Sequence, residues 1–465
     1  MNVLPFNFEH IGEDLVFLSN QAGFFDYLTK SQLETLIVSD SSGSPDKDKL
    51  LESKLFIASS DNEQISISAI ASAMSKRLMK ALNTTPIFMI VPTLRCDHTC
   101  RYCQVSRASI HAKEFDMDES NIIPMLKQIK SLSSAPYKLE IQGGEPLLRF
   151  DLVQKIYDKA VIILGEGKFE FVIATSLSLL KDEMLVWACS KSVHFSTSID
   201  GSHVVHNSHR ILRGGDSFEL AKRGIDKIRQ CLGDNSVATV TTVTSALLPY
   251  PEDIVATHIQ LGLKDIFVRP VSPYGFANNN GTDEYGIGEF MSFYERLLTI
   301  LSKYHRYGNK LVEHSALIHL KRILNAEYSG YADLKSPSGV VLNSLVFNYD
   351  GRIYGSDEAR MLQKSNPKID FSLGTIQSPQ FKNSQFYQSV ISQSFSLSHP
   401  GCYHCAFQPY CGADPCQNIS VFGEPVGDKS LSRFCQYHKS MFKLILNHLH
   451  KEDDVGLMFK EWVYG

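Results

Sequence analysis

The feature that most constrains the fold is a regular alternation of short apolar runs and helical patterns between residues 86 and 269. Such alternation is typical of parallel strands, because a parallel pair needs a long crossover connection that is usually a helix. We predict strands at residues 87–91, 138–142, 169–175, 193–199, 237–243 and 265–269. We predict helices at residues 118–132, 151–164, 181–190, 217–232 and 251–261. Six repeats predict an α/β fold with an open, partial (β/α)6 TIM-like barrel, whose chemistry gathers where strands end and loops begin.

The loop after the first predicted strand carries three cysteines, Cys96, Cys100 and Cys103, spaced C-x3-C-x2-C. Such a loop can fold round a [4Fe–4S] cluster, whose four iron corners usually take thiolate ligands. Three thiolates leave one iron open, and an open iron suits the binding and reduction of a ligand. The alternative is a zinc site with His98 as the fourth ligand, although structural zinc commonly uses paired C-x2-C motifs.

A glycine pair, Gly143 and Gly144, directly follows the second predicted strand. Paired glycines let a ligand approach the backbone closely. The next residue, Glu145, can accept hydrogen bonds from a cationic amine. On its own this run would be an ordinary turn signal, but here it comes after the three-cysteine loop and directly after a predicted strand.

The three-cysteine loop, with Tyr102 before its third cysteine, and the run Gly143-Gly-Glu-Pro146 resemble the signature of the radical S-adenosylmethionine (radical SAM) family. The resemblance implies that S-adenosyl-L-methionine chelates the open iron and is cleaved reductively to a 5'-deoxyadenosyl radical, which abstracts a hydrogen atom. The cofactor-binding residues that it implies are Tyr102, Gly143, Gly144, Glu145, Ser176, Ser198, Arg210 and Arg269.

Some of these positions depart from the family or leave alternatives open. Ser176 stands where relatives have asparagine in Thr-Asn-Gly. Ser198 begins Ser-Ile-Asp-Gly, in which Asp200 is the alternative cap of the next helix. Arg210 or Arg213 is expected to pair with the cofactor carboxylate, since guanidinium groups suit carboxylates, and Arg210 is preferred. Arg269 ends the sixth strand and is expected to face the cofactor cavity.

Three histidines, His203, His206 and His209, recur at every third residue and invite interpretation as a metal site. They lack the i, i+4 spacing of a helical zinc pair. His206 also resembles a common position of the radical SAM family. We therefore expect no metal at these histidines.

A second cysteine set, Cys402-x2-Cys405-x5-Cys411-x4-Cys416 followed by Cys435, resembles the SPASM extension of radical SAM enzymes that modify peptides and proteins. The family pattern assigns Cys402, Cys405, Cys411 and Cys435 to an outer auxiliary cluster. The inner cluster lacks ligands, so we expect two [4Fe–4S] clusters in all. Cys416 is either a leftover or a substitute ligand, and zinc remains an alternative because four thiolates suit either metal.

The hairpin that supplies an inner-cluster cysteine in the family ends here in Ser356, followed by Asp357-Glu-Ala-Arg360. We predict Asp357 and Glu358 as catalytic residues that bind peptide backbone or exchange protons. The alternative is a salt-bridged surface turn.

The first 83 residues show three strand patterns followed by three helical patterns, at residues 31–38, 46–56 and 66–82. This order resembles the winged-helix-like precursor-recognition domain of peptide-modifying enzymes, which adds a leader peptide to a sheet edge. The alternative is a segment that only packs on the barrel. The predicted division is a recognition domain at 1–83, the barrel at 84–275, a helical linker at 276–335, a SPASM-like domain at 336–440 and a C-terminal helix at 441–465.

Length and composition are those of an ordinary multidomain protein. At 465 residues, with 43% hydrophobic residues, 21% charged residues and a net charge of -4, the chain predicts two or three domains and no nucleic-acid surface. It shows no signal-peptide pattern and no apolar run long enough to span a bilayer, which predicts a cytoplasmic protein without a membrane partner. The chain has ten cysteines, and in a cytoplasmic protein cysteines are metal ligands more often than disulfides. We expect Cys189 and Cys231 to be separate buried thiols.

The sequence is therefore identified as a radical SAM/SPASM peptide maturase, most similar to the His-Xaa-Ser system subgroup. That resemblance implies a ribosomally made precursor peptide with a leader, an electron donor such as flavodoxin or ferredoxin, and a second radical SAM maturase as partners. The predicted product is a side-chain crosslink. The alternatives are a sulfatase-type maturase that oxidises cysteine or serine to formylglycine, and a non-catalytic zinc protein that carries a peptide.

Overall fold

The computed structural model describes residues 1–84, 86–105, 107–272, 274, 285–328, 330–428 and 430–465. The chain divides into two compact units. The first unit comprises Met1–Thr84, Ala316–Gly339 and Ile391–Gly465, and the second comprises Thr85–Ser315 and Val340–Val390. The linker predicted around Asn278-Asn-Asn-Gly281 lies outside the described residues.

Strands and helices alternate along most of the chain. In chain order, the strands are β1 (Asn2–Val3), β2 (Asn7–His10), β3 (Val16–Ser19), β4 (Phe25–Leu28), β5 (Ile57–Ala58), β6 (Ile87–Thr93), β7 (His98–Cys100), β8 (Tyr137–Gly143), β9 (Phe169–Ala174), β10 (His194–Ser198), β11 (Arg210–Leu212), β12 (Val237–Val243), β13 (Asp265–Pro270), β14 (Val312–Glu313), β15 (Ser344–Phe347), β16 (Arg352–Tyr354) and β17 (Ser372–Thr375). The helices are α1 (Lys30–Ser39), α2 (Pro45–Ser53), α3 (Glu63–Leu82), α4 (Ile122–Leu132), α5 (Phe150–Leu164), α6 (Asp182–Lys191), α7 (His203–His209), α8 (Ser217–Leu232), α9 (Pro251–Gln260), α10 (Ile287–Arg306), α11 (His314–Leu324), α12 (Asp357–Ser365), α13 (Gln385–Gln393), α14 (Pro400–Tyr403), α15 (Pro415–Phe422), α16 (Arg433–Lys451) and α17 (Asp454–Tyr464).

The second unit is built on one sheet with the strand order β14-β13-β12-β10-β9-β8-β6-β15-β16-β17. The strands from β14 to β15 pair in parallel, and β16 and β17 extend the sheet antiparallel. The predicted partial-barrel α/β fold is confirmed, with the six predicted strands as β6, β8, β9, β10, β12 and β13. The helix predicted from residue 118 begins later, at Ile122, because Asp118 caps a short 3-10 turn by accepting a hydrogen bond from the Ser120 amide.

Alternating side chains along the strands separate the core from the opposite face of the sheet. On β8, Leu139 and Ile141 are buried, whereas Glu140 and Gln142, which alternate with them, are half-buried. On β10, Ser198 is likewise half-buried at the carboxyl end of the strand. The opposite face therefore carries polar groups, as expected for the functional side of an open barrel.

The first unit contains an antiparallel sheet of β2, β3 and β4, followed by α1, α2 and α3. Its predicted helices are present within a few residues of their expected bounds. Phe17 on β3 stacks on Phe407, which lies between two cysteines of the second set, with ring centroids 5.6 Å apart. Phe407 in turn stacks on Phe442 of α16 at 5.5 Å.

The expectation that Cys189 and Cys231 are separate buried thiols is wrong. The structure joins them in a disulfide between α6 and α8, with their Cα atoms 6.1 Å apart. Cys189 is half-buried and Cys231 is exposed. The sequence concealed this contact because it depends on how two crossover helices lie side by side.

Within the described part of the chain, no helix has the length and apolar character that a membrane crossing requires.

Candidate active site

The loop at residues 94–103, here called the cysteine loop, follows β6 in the second unit. Its sulfur atoms belong to Cys96, Cys100 and Cys103, all of them half-buried. Arg95 fixes the base of the loop by a two-pronged ion pair with Asp116, at 2.7 Å for Nε–Oδ1 and 2.8 Å for Nη2–Oδ2. Burial raises the pKa of Cys96, and it raises the pKa of Cys100 to about 11. Burial thus favours the protonated form of these two thiols over the thiolate.

His98 is not available as a metal ligand. Its side chain is 1% exposed, its Nδ1 lies 2.9 Å from Asp97 Oδ1, and its Nε2 lies 2.8 Å from Ser217 Oγ. The donor atoms of Cys96, Asp97 and His98 do lie within 4.8 Å of one another. Because both ring nitrogens are engaged, the zinc alternative loses the fourth ligand on which it relied.

The glycine pair packs directly beneath the cysteine loop. A Cβ atom on Gly143, whose φ is 144°, would meet Thr93 O at 2.2 Å, and one on Gly144 would meet Arg95 O at 2.2 Å. Gly144 N donates to Thr93 O at 2.9 Å, and Glu145 N donates to Arg95 O at 2.8 Å. In this structure, the two glycines allow the backbone at the start of the cysteine loop to approach the end of β8 closely.

Glu145 is a buried carboxylate, 1% exposed, held by several donors. It accepts from Thr175 Oγ1 at 2.6 Å, from Ser176 N at 2.8 Å, from Ser176 Oγ at 2.7 Å and from Leu147 N at 3.1 Å. Burial raises its pKa, and the bonds from Thr175 and Ser176 oppose that rise. Ser176, whose role was open from the sequence, is therefore a direct partner of Glu145.

A chain of polar contacts connects Glu145 to the cysteine loop. Ser176 Oγ lies 2.8 Å from Ser178 Oγ, and Ser178 Oγ donates to Asp97 Oδ2 at 2.5 Å. Asp97 and Ser178 escaped the sequence analysis, although Ser178 lies two residues beyond a predicted site residue. The arrangement fixes the carboxylate of Glu145 relative to the thiols.

Tyr102 and Arg210 meet in a second buried group. Arg210 Nη1 donates to the Tyr102 hydroxyl at 2.9 Å, and that hydroxyl donates to Asp200. Asp200 also accepts from Thr242 N at 3.1 Å. Burial raises the pKa of Asp200, and Arg210 opposes the rise.

Strand pairing explains why Arg210 reaches this place. β7 and β11 form a two-stranded antiparallel ladder in which Arg210 lies opposite Cys100. Arg213 is exposed, so the structure favours Arg210 over Arg213 near the thiols. The alternative that Asp200 caps the next helix is wrong, because the residue at the N-cap of α7 is Ser202.

The three histidines do not converge. His203 pairs with Asp216 at 2.7 Å, His206 lies 3.1 Å from Ser217 Oγ, and His209 lies 3.0 Å from Thr244 Oγ1. Burial lowers the pKa of His206 to about 2, so this ring is neutral.

Glu140 and Asp357 belong to a group of ionisable residues in the second unit. Burial and the nearby Asp357 raise the pKa of Glu140 to about 7, and Arg269 opposes the rise. Asp357 itself pairs with Arg360, Nη2 to Oδ1 at 2.6 Å, and Glu358 is half-buried beside it. Glu140 was missed by the sequence analysis because a polar residue at alternate strand positions is ordinary.

Ser356, which stands where the family has an inner-cluster cysteine, has a structural role here. It is the N-cap of α12 and accepts a hydrogen bond from Ala359 N at 3.1 Å. The first turn of α12 places Asp357 and Arg360 three residues apart, in reach of each other.

In the first unit, Cys402, Cys405, Cys411 and Cys435 line one cavity, here called the four-cysteine cavity. Its other walls are largely apolar and include Phe407, Phe434 and Phe442. Cys416 is fully buried and is not among the described residues that line this cavity. Four sulfur atoms round one space form a donor set suited to an iron–sulfur cluster or to zinc.

Residues 90–260 match the family model of the Radical SAM superfamily. An uncharacterized protein of Methanocaldococcus jannaschii, MJ0907, is 25% identical over 181 residues, 39% of this chain. The chain spans 61% of the length of that curated relative.

Two solved structures show the same architecture. Native anSMEcpe with bound AdoMet has a TM-score of 0.65 and 17% identity, covering 79% of this chain and 99% of that one. Streptococcus suis SuiB bound to precursor peptide SuiA has a TM-score of 0.53 and 14% identity, covering 92% of this chain and 98% of that one. The chain therefore has the radical SAM α/β fold with a partial-barrel parallel sheet.

Proposed function

We propose that this protein is a radical SAM enzyme that installs a post-translational modification, a side-chain crosslink, in a ribosomally made precursor peptide. The observation that carries the proposal is the chain of close polar contacts from Asp97 through Ser178 and Ser176 to Glu145. It joins a loop of three thiols to a buried carboxylate, at the carboxyl end of β8 in a parallel sheet.

The residues of the cysteine loop fit the implied cofactors. Cys96, Cys100 and Cys103 would hold three corners of a [4Fe–4S] cluster, and His98 is bound elsewhere. When bound, the cluster supplies the electron that cleaves S-adenosyl-L-methionine reductively to a 5'-deoxyadenosyl radical. Glu145 already accepts four hydrogen bonds, from Thr175, Ser176 and Leu147, so the cofactor ammonium group would take the place of one of these donors, since a buried carboxylate favours a cationic partner.

The neighbouring charged residues would position the rest of the cofactor and the substrate. Arg210, held by Tyr102, would face the cofactor carboxylate, and Ser198 and Arg269 would line the same cavity. Asp357 and Glu358 would bind peptide backbone or exchange a proton with it. The fixed ion pair of Asp357 with Arg360 supports an orienting role.

Both structural neighbours support a peptide substrate. SuiB is bound to precursor peptide SuiA, and anSMEcpe has been solved with a Cp18Cys peptide. In this chain, residues 1–83 would recognise the leader by adding it to the edge of the sheet formed by β2, β3 and β4. The proposed partners also include an electron donor such as flavodoxin or ferredoxin and a second radical SAM maturase.

The four-cysteine cavity would hold one auxiliary [4Fe–4S] cluster that accepts an electron from the substrate radical. Four thiols in one cavity support this assignment. Free thiols that serve as metal ligands persist in a reducing compartment, which supports the cytoplasm as the proposed location. The disulfide of Cys189 with Cys231 is a pairing that this compartment does not favour.

The direct test is release of 5'-deoxyadenosine by the anaerobically purified protein with a reductant and S-adenosyl-L-methionine. We expect release by the native protein and none by the Cys100→Ala variant. Thr99→Ala is the matched control, because Thr99 is exposed on the same loop and carries no thiol. Equal release by both variants would contradict the proposal.

A sulfatase-type oxidation is the second candidate, favoured by the structure of anSMEcpe with the Cp18Cys peptide. Mass spectrometry of a co-expressed neighbouring precursor separates the outcomes. A crosslink removes two hydrogen atoms and joins two residues, which fragmentation reveals. Formylglycine formed from cysteine loses two hydrogen atoms and has oxygen in place of sulfur, and formylglycine formed from serine loses two hydrogen atoms without joining two residues.

A further inference from the structure

The four-cysteine cavity shares a wall with a second, smaller pocket in the same unit. Cys411 and Gln408 line both spaces. The smaller one, here called the arginine pocket, is also lined by Arg77 of α3 and Arg322 of α11. These two side chains are only 7% and 4% exposed, so two guanidinium groups lie buried behind Cys411.

Both guanidinium groups bond to neutral acceptors among the described residues. Arg322 Nε donates to Tyr410 O at 2.8 Å and its Nη1 donates to Tyr328 O. Arg77 Nη2 donates to Gln21 Oε1 at 3.0 Å, while its Nη1 is buried with no hydrogen-bond partner in the described structure. Buried charges in proteins are normally paired or bound to a metal site.

The acidic residue that lines the arginine pocket does not supply the missing charge. Glu327 is paired with Lys76 at 2.7 Å and with Lys80 at 3.4 Å. Burial and the neighbouring Arg77 lower the pKa of Arg322 to about 10, which leaves it charged at neutral pH. Within the described first unit, the two positive charges are therefore not offset by a carboxylate.

The four-cysteine cavity is where a negative charge would appear. Four thiolates round an oxidised [4Fe–4S] core make a net dianion, and reduction by one electron adds another negative charge. Lys439 also lines this cavity, but Glu9 already binds it at 2.9 Å. The two arginines thus lie behind the shared wall, with positive charge that no described carboxylate offsets.

We propose that Arg77 and Arg322 are the buried counter-charges of the cluster held by Cys402, Cys405, Cys411 and Cys435, and that they raise its reduction potential. This inference rests on the proposed auxiliary cluster. The reduced cluster carries the larger negative charge, so nearby positive charge stabilises it more than the oxidised form. A raised potential suits a cluster that accepts one electron from a substrate radical, because the radical is oxidised when it gives up that electron.

The test is a redox titration, followed by electron paramagnetic resonance, of full-length protein carrying Cys100→Ala, so that the auxiliary cluster alone is observed. We expect Arg77→Gln and Arg322→Gln each to shift the reduction equilibrium about tenfold against the reduced cluster, about 59 mV for one electron. Arg77→Lys keeps the charge and should shift less. Lys30→Gln, which removes an exposed charge elsewhere in the same unit, should leave the potential unchanged.

The remaining outcomes either overturn the inference about the arginines or overturn the auxiliary cluster on which it rests. Unchanged potentials in both glutamine variants would overturn it while leaving the auxiliary cluster in place. If Arg322→Gln does not fold, Arg77→Gln gives the same readout, because its Nη1 holds no partner in the described structure. A different result would be a melting temperature that depends on chloride in the native protein but not in Arg77→Gln, with the reduction potential unchanged by the substitution. That result would make the arginine pocket an inorganic anion site and overturn the inference. Absence of iron from the Cys100→Ala protein would overturn the auxiliary cluster itself, while 5'-deoxyadenosine release by the native chain is judged separately.

Discussion

The three thiols of the cysteine loop stand among hydrogen-bonding groups, whereas the four thiols of the second set line a cavity with aromatic walls. Near the first, Glu145, Ser176 and Asp97 present carboxylate and hydroxyl groups. Round the second, Phe434 and Phe442 form apolar walls. A polar environment with three thiols, one fewer than a cubane cluster needs, suits a site that binds a polar cofactor. An apolar surround with a full ligand set suits a closed site that carries electrons.

The largest expected effect separates the ligands of the second set from a spectator cysteine. Cys411→Ala should remove one cluster, lowering the iron content from about eight to about four per chain. Cys416→Ala is the matched control, since Cys416 is buried but does not line the cavity, and it should keep the full iron content. Iron and sulfide analysis of anaerobically purified protein measures both. Loss of iron in Cys416→Ala alone would reverse the assignment.

The next effect concerns the ion pair that follows Ser356. Asp357→Asn leaves the Arg360 guanidinium buried without its carboxylate, and we expect a loss of about 3 to 5 kcal/mol in the free energy of unfolding. Denaturant unfolding measures the change. The double variant Asp357→Asn, Arg360→Met removes both charges and should recover most of the loss. A single variant as stable as the native protein would show that this pair is not a buried, coupled unit.

Glu145 tests the polar character of the first site. Glu145→Gln removes the negative charge from a buried, hydrogen-bonded position, and we expect the affinity for S-adenosyl-L-methionine to fall about 100-fold. Anaerobic equilibrium dialysis measures the Kd. Glu183→Gln, an exposed acid of the same unit, should bind as the native protein does. Unchanged binding by Glu145→Gln would remove the carboxylate from the cofactor site.

The last expected effect, of similar size, is a pH dependence at Glu140. Its pKa in the folded protein is raised to about 7 by burial and by Asp357, so the folded state holds this proton more tightly than the unfolded state. Stability should therefore fall as the pH rises from about 4.5 to 7, by about 3 kcal/mol in all, and level off above that range. Glu140→Gln should abolish this decline.

Unfolding free energies measured between pH 5 and 8 test this pH dependence at Glu140. The control is Glu252→Gln, because Glu252 is an exposed acid. The same decline in Glu140→Gln would assign the effect to another group.

Most of the strands and helices of the second unit could be predicted from the sequence, because each depends on the periodic spacing of apolar residues within a short segment. The buried alternation of Leu139 and Ile141 and the helix from Ser217 to Leu232 are properties of short segments. Cysteine spacing carries the same kind of local information, which is why the two thiol sets were recognised.

The contacts that complete the site depend on distant segments. The ladder that places Arg210 opposite Cys100 is three residues long and joins strands more than a hundred residues apart. The partners of Asp200 come from the cysteine loop and from β12. The disulfide of Cys189 with Cys231 and the buried pair Arg77 and Arg322 likewise depend on packing. No local pattern distinguishes such residues from ordinary polar or structural ones.

The central claim is that the two thiol sets differ in having an open and a closed coordination site. Two variants isolate them: Cys411→Ala retains only the cluster of the cysteine loop, and Cys100→Ala retains only the auxiliary cluster. Each is reduced and its electron paramagnetic resonance spectrum is recorded with and without S-adenosyl-L-methionine. We expect the cofactor to change the spectrum of the Cys411→Ala protein and leave that of the Cys100→Ala protein unaltered. An unaltered spectrum in the first, or an equal change in both, would contradict the account.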